Sequence, residues 1–206
     1  MKTKSPLFRI DRLLVAALAL LAAPHVEAQT TYLYTNTASS GTWMTVANWQ
    51  TNGVTSTTAP SNNTTAVVRF TNSGAITMGV NLNQSALGNT VSVGSLLKEN
   101  SGNLTMNNSS GTVSGTFRVF GSSSGSDTNL IVTLGTGALI ITNGSQLMDL
   151  QLATGGIINV SNSGGRVVLA SLIKEDAGET NTITKTGAGT LVISGTNVNT
   201  WGGGIV

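Results

Sequence analysis

Beyond residue 28 the apolar residues of this chain come in short runs that alternate with period two, and no stretch repeats at helical spacing. Leu130, Val132 and Leu134 alternate in NLIVTLG, Phe117 and Val119 in GTFRVFG, Leu139 and Ile141 in GALIITNG, and Leu191 and Ile193 in GTLVISG. Side chains two apart share one face of a strand, and each run is bounded by Gly, Asn or Ser. Turn-forming pairs recur at Asn52-Gly53, Ser73-Gly74, Asn143-Gly144, Gly155-Gly156 and Gly164-Gly165. The pattern predicts an all-β fold.

Disorder is the rival reading, because Thr, Ser, Asn and Gly together fill more than half of positions 29–206. Disordered chains combine low hydrophobicity with high net charge. Here six basic side chains face six acidic ones after residue 28, so self-repulsion does not hold the chain open, and ordered β-structure is expected. The formal charge of +2 arises within positions 1–28 and gives no reason to expect a nucleic-acid partner. With no Cys in the chain, disulfides, thiolate zinc sites and thiol nucleophiles are excluded. The one His, His25, lies in the leader, which removes the commonest general base and metal ligand from the mature chain.

Residues 1–28 read as a signal peptide. Lys2, Lys4, Arg9 and Arg12 precede the apolar run Leu13 to Ala23, and Val26-Glu27-Ala28 offers a cut between Ala28 and Gln29. Such a short apolar run rises only ~16 Å as a helix, against a hydrocarbon core of ~30 Å. The expectation is an exported mature chain with no membrane span, secreted or at the cell surface.

Two internal duplications bear on architecture. Val91–Gly102 (VSVGSLLKENSG) matches Val167–Gly178 (VVLASLIKEDAG), and Gly135–Ile141 (GTGALII) matches Gly187–Ile193 (GAGTLVI). Repeats on this scale suit a right-handed parallel β-helix with coils of roughly 20–26 residues, about six of them, whose inward residues stack into one core. Leu139, Ile141, Leu191 and Ile193 are expected to point inward, with Asn at the corners stacking amide ladders. A β-sandwich is the alternative; it explains the alternation but not the duplications. The expected organisation is a signal peptide at 1–28, an N-terminal cap region at 29–65 and β-helix repeats at 66–206. Within the cap region Trp43 and Trp49 are read as cap residues, the other reading being a sugar-stacking platform, with Trp201 as a further stacking surface.

The segment from Lys185 to Val206 (KTGAGTLVISGTNVNTWGGGIV) resembles the autotransporter-associated β-strand repeat, which runs roughly K-x-G-x-G-T-L-x-L-x-G-x-N-T-Y-x-G-G-T-x-V. Two extra residues lie between Asn197 and Thr200, and Trp201 stands in place of the tyrosine. The stretch Gly41 to Trp49, followed by Pro60 and Val68-Arg69-Phe70, resembles the N-terminal opening of such proteins. The resemblance implies a secreted right-handed β-helix in the passenger part of a large surface protein, outside a Gram-negative-type cell. It also implies that the array, which stops at Gly-Gly-Gly-Ile-Val in mid-repeat, is a truncated frame or part of a longer protein.

The chemical motifs are weak. Ser171-Leu-Ile-Lys174 and Lys185-Thr-Gly187 fit S-x-x-K and K-T-G, but they lie close together in the chain, and S-x-x-K recurs at Ser95–Lys98 through the duplication. Glu175, Asp176 and Glu179 read as a solvated loop, not as the carboxylate cluster of a polysaccharide-cleaving β-helix. The Asn-x-Ser/Thr sequons at Asn63, Asn103, Asn108 and Asn143 are expected by chance in so Asn- and Thr-rich a chain. No catalytic, cofactor-binding or metal-binding residue is assigned, and no nucleotide or nucleic acid is expected. The functional expectation is a non-enzymatic structural or adhesive surface module, with surface glycans or other cell-surface proteins as partners. The alternative is a carbohydrate-binding or polysaccharide-processing protein.

Overall fold

A computed structural model of the chain describes residues 29–83, 88–124, 127–153, 155–175, 180–195 and 202–206, so the expected signal peptide lies outside the described residues. The one helical element among them is a 3-10 turn, Val46–Asn48. The rest of the regular structure is β, and it falls into two sheets. No helix among the described residues is long and apolar enough to cross a membrane.

The smaller sheet contains β2 (Ser40–Thr42), β6 (Ile76–Val80), β8 (Leu104–Asn108), β12 (Ala138–Thr142), β15 (Arg166–Leu169) and β18 (Thr190–Ile193) in that spatial order, and every pairing is parallel. Two columns of side chains run across it in register. Ile76, Leu104, Leu139, Val167 and Leu191 form the first, and Met78, Met106, Ile141, Leu169 and Ile193 the second. All are buried except Leu191 and Ile193 on the last strand, which are partly buried against the core. The four expected inward positions are therefore stacked as expected. Full burial of such side chains contributes about 1.5–3 kcal/mol each.

The larger sheet holds β1 (Thr31–Tyr34), β3 (Trp49–Thr51), β4 (Val54–Thr55), β5 (Asn63–Phe70), β7 (Thr90–Lys98), β9 (Gly115–Val119), β10 (Ser122–Ser124), β11 (Asp127–Thr133), β13 (Met148–Leu152), β14 (Gly156–Val160), β16 (Leu172–Lys174) and β17 (Ile183–Thr186). It forks at β7. The first half of that strand pairs with β9, placing Val91 opposite Phe117, whereas the second half pairs with β5 and β11, placing Leu96 between Val68 and Ile131. Gly94 marks the fork, where a Cβ would lie 2.8 Å from the Ala66 carbonyl oxygen. One branch continues through β13 to β16 and stacks Val91, Phe117, Leu150 and Ile173, all buried. The other continues through β14 to β17. Antiparallel pairs occur at β1–β3, β3–β4 and β10–β11.

Successive members of the first column in the smaller sheet, Ile76, Leu104, Leu139, Val167 and Leu191, are unevenly spaced along the chain. The widest interval, from Leu104 to Leu139, is well beyond the expected coil length, because the bends away from the sheet carry extra residues. One bend is held nearly constant. The sequences Gly74-Ala-Ile76, Gly102-Asn-Leu104, Gly137-Ala-Leu139, Gly165-Arg-Val167 and Gly189-Thr-Leu191 place a glycine two positions before each member of the first column. A Cβ on Gly102 would collide with the carbonyl of Gly74, and one on Gly137 with those of Ser101 and Gly102. Strand-to-strand approach, not a special backbone angle, demands glycine at Gly102, Gly137, Gly165 and Gly189, whereas a Cβ on Gly74 would meet nothing.

The two duplications behave differently. The shorter one is in phase: Leu139 and Leu191 share a column, two strands apart. The longer one is out of phase. Val91 belongs to the larger sheet and Val167 to the smaller, so the first parts of the matching segments occupy different sheets, although Leu96–Lys98 and Leu172–Lys174 both lie in the larger one. The alternation expected at Leu130, Val132 and Leu134 also breaks. The register of β11 on β14 shifts between Asn129 and Ile131, so Leu130 and Ile131 are both buried, Thr133 follows inward and Leu134 is exposed. A bulge inverts the parity of everything after it.

Candidate functional site

The expected cap residues lie inside the molecule. Trp43 and Trp49 are both 0% exposed, and Tyr34, Phe70 and Phe117 pack against them with ring centroids 5.1–6.4 Å apart. Each indole N–H finds a backbone acceptor: Trp43 Nε1 donates to the Pro60 carbonyl at 2.6 Å, and Trp49 Nε1 to the Trp43 carbonyl at 2.7 Å. Stacking a sugar on either ring would mean opening this core, so the platform reading of Trp43 and Trp49 is corrected. Trp201 lies outside the described residues.

A concave site does form beside this cluster. Tyr34 ends β1 and stands opposite Phe70 at the end of β5. In the two segments that follow, Thr35, Thr37, Thr71, Asn72 and Ser73 close around a pocket of about 370 Å³ that Tyr34 also lines. Its walls are tied by amides. Asn72 Nδ2 donates to the Asn36 carbonyl at 2.6 Å, Asn36 Nδ2 to Asn48 Oδ1 at 3.0 Å, and the buried Asn48 donates to the Thr42 carbonyl. Two polar atoms here are buried and unpartnered: the hydroxyl of Tyr34, a residue only 1% exposed, and Asn72 Oδ1. Burial pushes the Tyr34 phenol above its ordinary pKa, keeping it protonated and able to donate. A Cβ at Gly41 would fall on the Tyr34 hydroxyl, so β2 is cleared for that oxygen.

A second recess, of about 500 Å³, is framed by Leu191, Ile193 and Ile205, with Lys185 at its edge. It lies where the two apolar columns reach the last described strand.

Lys98 is the most unusual charged side chain. It is 1% exposed and stands in the column Phe70–Lys98–Thr133–Val160. Its amine donates to the carbonyls of Asn100 at 2.7 Å and Gly137 at 3.2 Å. Burial lowers its pKa from 10.5 to about 8. The side-chain amide of Asn100 and the hydroxyl of Thr133, both buried, make no hydrogen bond.

The other singled-out residues do not converge on chemistry. Lys174 pairs with Asp149 at 2.5 Å while Ser171 is fully buried, so the S-x-x-K residues are split between surface and interior. Glu175 binds backbone: its carboxylate accepts from Asn181 N at 2.8 Å, Gly202 N at 3.0 Å and Gly203 N at 3.1 Å. Desolvation opposes its ionisation, but these three N–H groups prevail and hold its pKa below the usual carboxylate value. Asp176 and Glu179 lie outside the described residues. No group of three or more acidic or imidazole side chains that could hold a metal occurs among the described residues. The expected corner ladders of asparagine instead reach backbone on neighbouring strands. Asn103 Oδ1 accepts from Ala138 N at 2.9 Å, and the fully buried Asn108, one of the sequons, donates to the Leu147 carbonyl at 3.0 Å.

Comparison with known protein families, with curated proteins and with solved structures gives no match.

Proposed function

We propose that the chain is a secreted or surface-exposed structural module, non-enzymatic, and built as a right-handed parallel β-helix. The observation that carries this reading is the in-register parallel stack β2-β6-β8-β12-β15-β18, with its two continuous apolar columns and its glycine bend. A sandwich of the common kind is assembled from antiparallel strands, whereas parallel neighbours so widely separated in sequence require the chain to circle back between them. Crossovers of that kind are right-handed in nearly every known sheet. Such a stack works by length and by its outward Thr, Ser and Asn side chains, with no need for a reaction centre. The likeness of residues 185–206 to the autotransporter-associated β-strand repeat favours a passenger-type surface role, and the basic, apolar and small-residue order of residues 1–28 favours export.

The test is to produce the full chain in a Gram-negative host, fractionate the cells and sequence the N-terminus of the product. A product beginning at Gln29 outside the cytoplasm is expected, with a β-type circular dichroism spectrum that EDTA leaves unchanged. An intact Met1 terminus on a cytoplasmic product would overturn the export reading, and a helical spectrum would overturn the fold.

A further inference from the structure

We propose that the outward face of the smaller sheet is an ice-binding surface. The inference goes beyond the structural role above. It rests on the pairings and side chains of that sheet, and on neither export nor the handedness of the coil.

Between the members of its two apolar columns, each strand of this sheet presents one side chain outward. Ser40, Thr77, Thr105, Ile140, Val168 and Val192 form that outward column, paired in register from β2 to β18. Ser40 and Thr77 are exposed and the other four half-buried. Thr42 and Thr142 stand two positions further along their strands, and Thr190 two positions earlier. None of these pairings carries the register shift that interrupts β5 on β7 and β11 on β14 in the larger sheet. The outward side chains therefore repeat at about 4.8 Å from strand to strand and at about 6.7 Å along each strand. Both steps lie close to oxygen repeats of hexagonal ice. Methyl groups held on such a grid order the water beside them, and the hydroxyls of Ser40, Thr77 and Thr105 anchor it by hydrogen bonds.

Charge is kept away from this surface. Among the described residues Arg166 is the one charged side chain on it, whereas the ion pairs made by Arg69 and by Lys174 lie on the larger sheet. A stacking platform for a glycan needs aromatic rings, and none stands among the described residues of this face. A second copy of the chain needs about 800 Å² from each partner, while six strands of this length span only about 300 Å² in plan. A regular, uncharged grid of methyls and hydroxyls matches an ordered water lattice instead.

The experiment is ice-affinity partition of the full chain, with serum albumin as the excluded control, and microscopy of single ice crystals grown in the same solution. The chain is expected to enter the ice in excess of albumin and to facet the crystals. Thr105→Lys sets a strongly hydrated ammonium in the middle of the column, and Thr77→Lys does the same at an exposed position beside it. Each is expected to fall to the albumin level and lose the faceting while keeping the parent's circular dichroism spectrum. Thr64→Lys makes the same change at an exposed position of β5 in the larger sheet and is expected to retain both activities. Albumin-level partition of the parent, an equal loss in Thr64→Lys, or retention by the folded column variants would each overturn the proposal. So would capture on crystalline cellulose or chitin without entry into ice, which would assign the face to a glycan surface. A β-rich, exported chain that ignores ice would sink this inference alone and leave the structural reading standing.

Discussion

Ser95-Leu-Leu-Lys98-Glu99 and Ser171-Leu-Ile-Lys174-Glu175 are nearly the same sequence in opposite circumstances. In the first, Leu96 and Lys98 face inward and Leu97 is half-buried; in the second, Ile173 faces inward while Leu172 and Lys174 turn toward solvent. One amine is enclosed among carbonyls, and the other holds Asp149 at the surface. The difference arises upstream. Within the unbroken strand to Lys98 the inward face changes parity at the Gly94 fork, from Val91 and Val93 to Leu96 and Lys98, whereas Val167, Leu169 and Ile173 keep one parity across the break at Ala170-Ser171 between β15 and β16. Local sequence sets the tendency to form a strand, but which face looks inward is decided by where the strand begins and what it pairs with.

The largest expected effect is on the Lys98 side of this comparison. Gly137→Ala drives a methyl into the carbonyls of Ser101 and Gly102 and displaces one of the two acceptors of the Lys98 amine. A loss of about 3 kcal/mol or more is expected in denaturant unfolding. Gly164→Ala, whose Cβ would meet only ordinary contacts, should cost less than about 1 kcal/mol. Next come the leucines. Leu96→Ala is expected to cost about 2–5 kcal/mol and Leu172→Ala under about 1 kcal/mol; equal costs would mean the two copies share one parity.

The Lys98 side then responds to pH. The pKa of Lys98 is about 8 in the folded chain, below its unfolded value, so between pH 8 and 10 the unfolded state binds more protons and stability rises with pH. Measured as wild type minus Lys98→Met, which cancels other titrations, the rise should be about 1–3 kcal/mol. The smallest effect is on that second pair: with both side chains partly exposed, Lys174→Met is expected to cost less than about 1 kcal/mol at neutral pH.

The strand content and the inward faces of β9, β12 and β18 were legible because simple alternation survives there. The parallel stack was legible only in part. A glycine two positions before an apolar residue recurs at Gly74, Gly102, Gly137, Gly165 and Gly189, and would have revealed every member of the first column. The in-phase duplication exposed only Leu139 and Leu191. The bulge at Asn129–Ile131 left no mark in the sequence, so the face of β11 was misread. The burial of Lys98 was hidden because lysine is ordinarily a surface residue and its acceptors are backbone carbonyls, one of them on the distant Gly137. The pocket was invisible for a similar reason: Asn72 and Asn36, which tie its walls, are far apart in the chain and carry no motif.

The glycine bend has a consequence for how this molecule can vary. At Gly102, Gly137, Gly165 and Gly189 the strand rests on neighbouring backbone with no space for even a methyl group, and a change there must separate neighbours. Elsewhere the chain bows outward: Gly111 sits at a positive φ of 71° with open space around the position of a side chain. Foreign peptides spliced in at Gly111 should be carried as passengers on an undisturbed frame, so that new surface can be added at that rim while the hinge-like edge stays fixed.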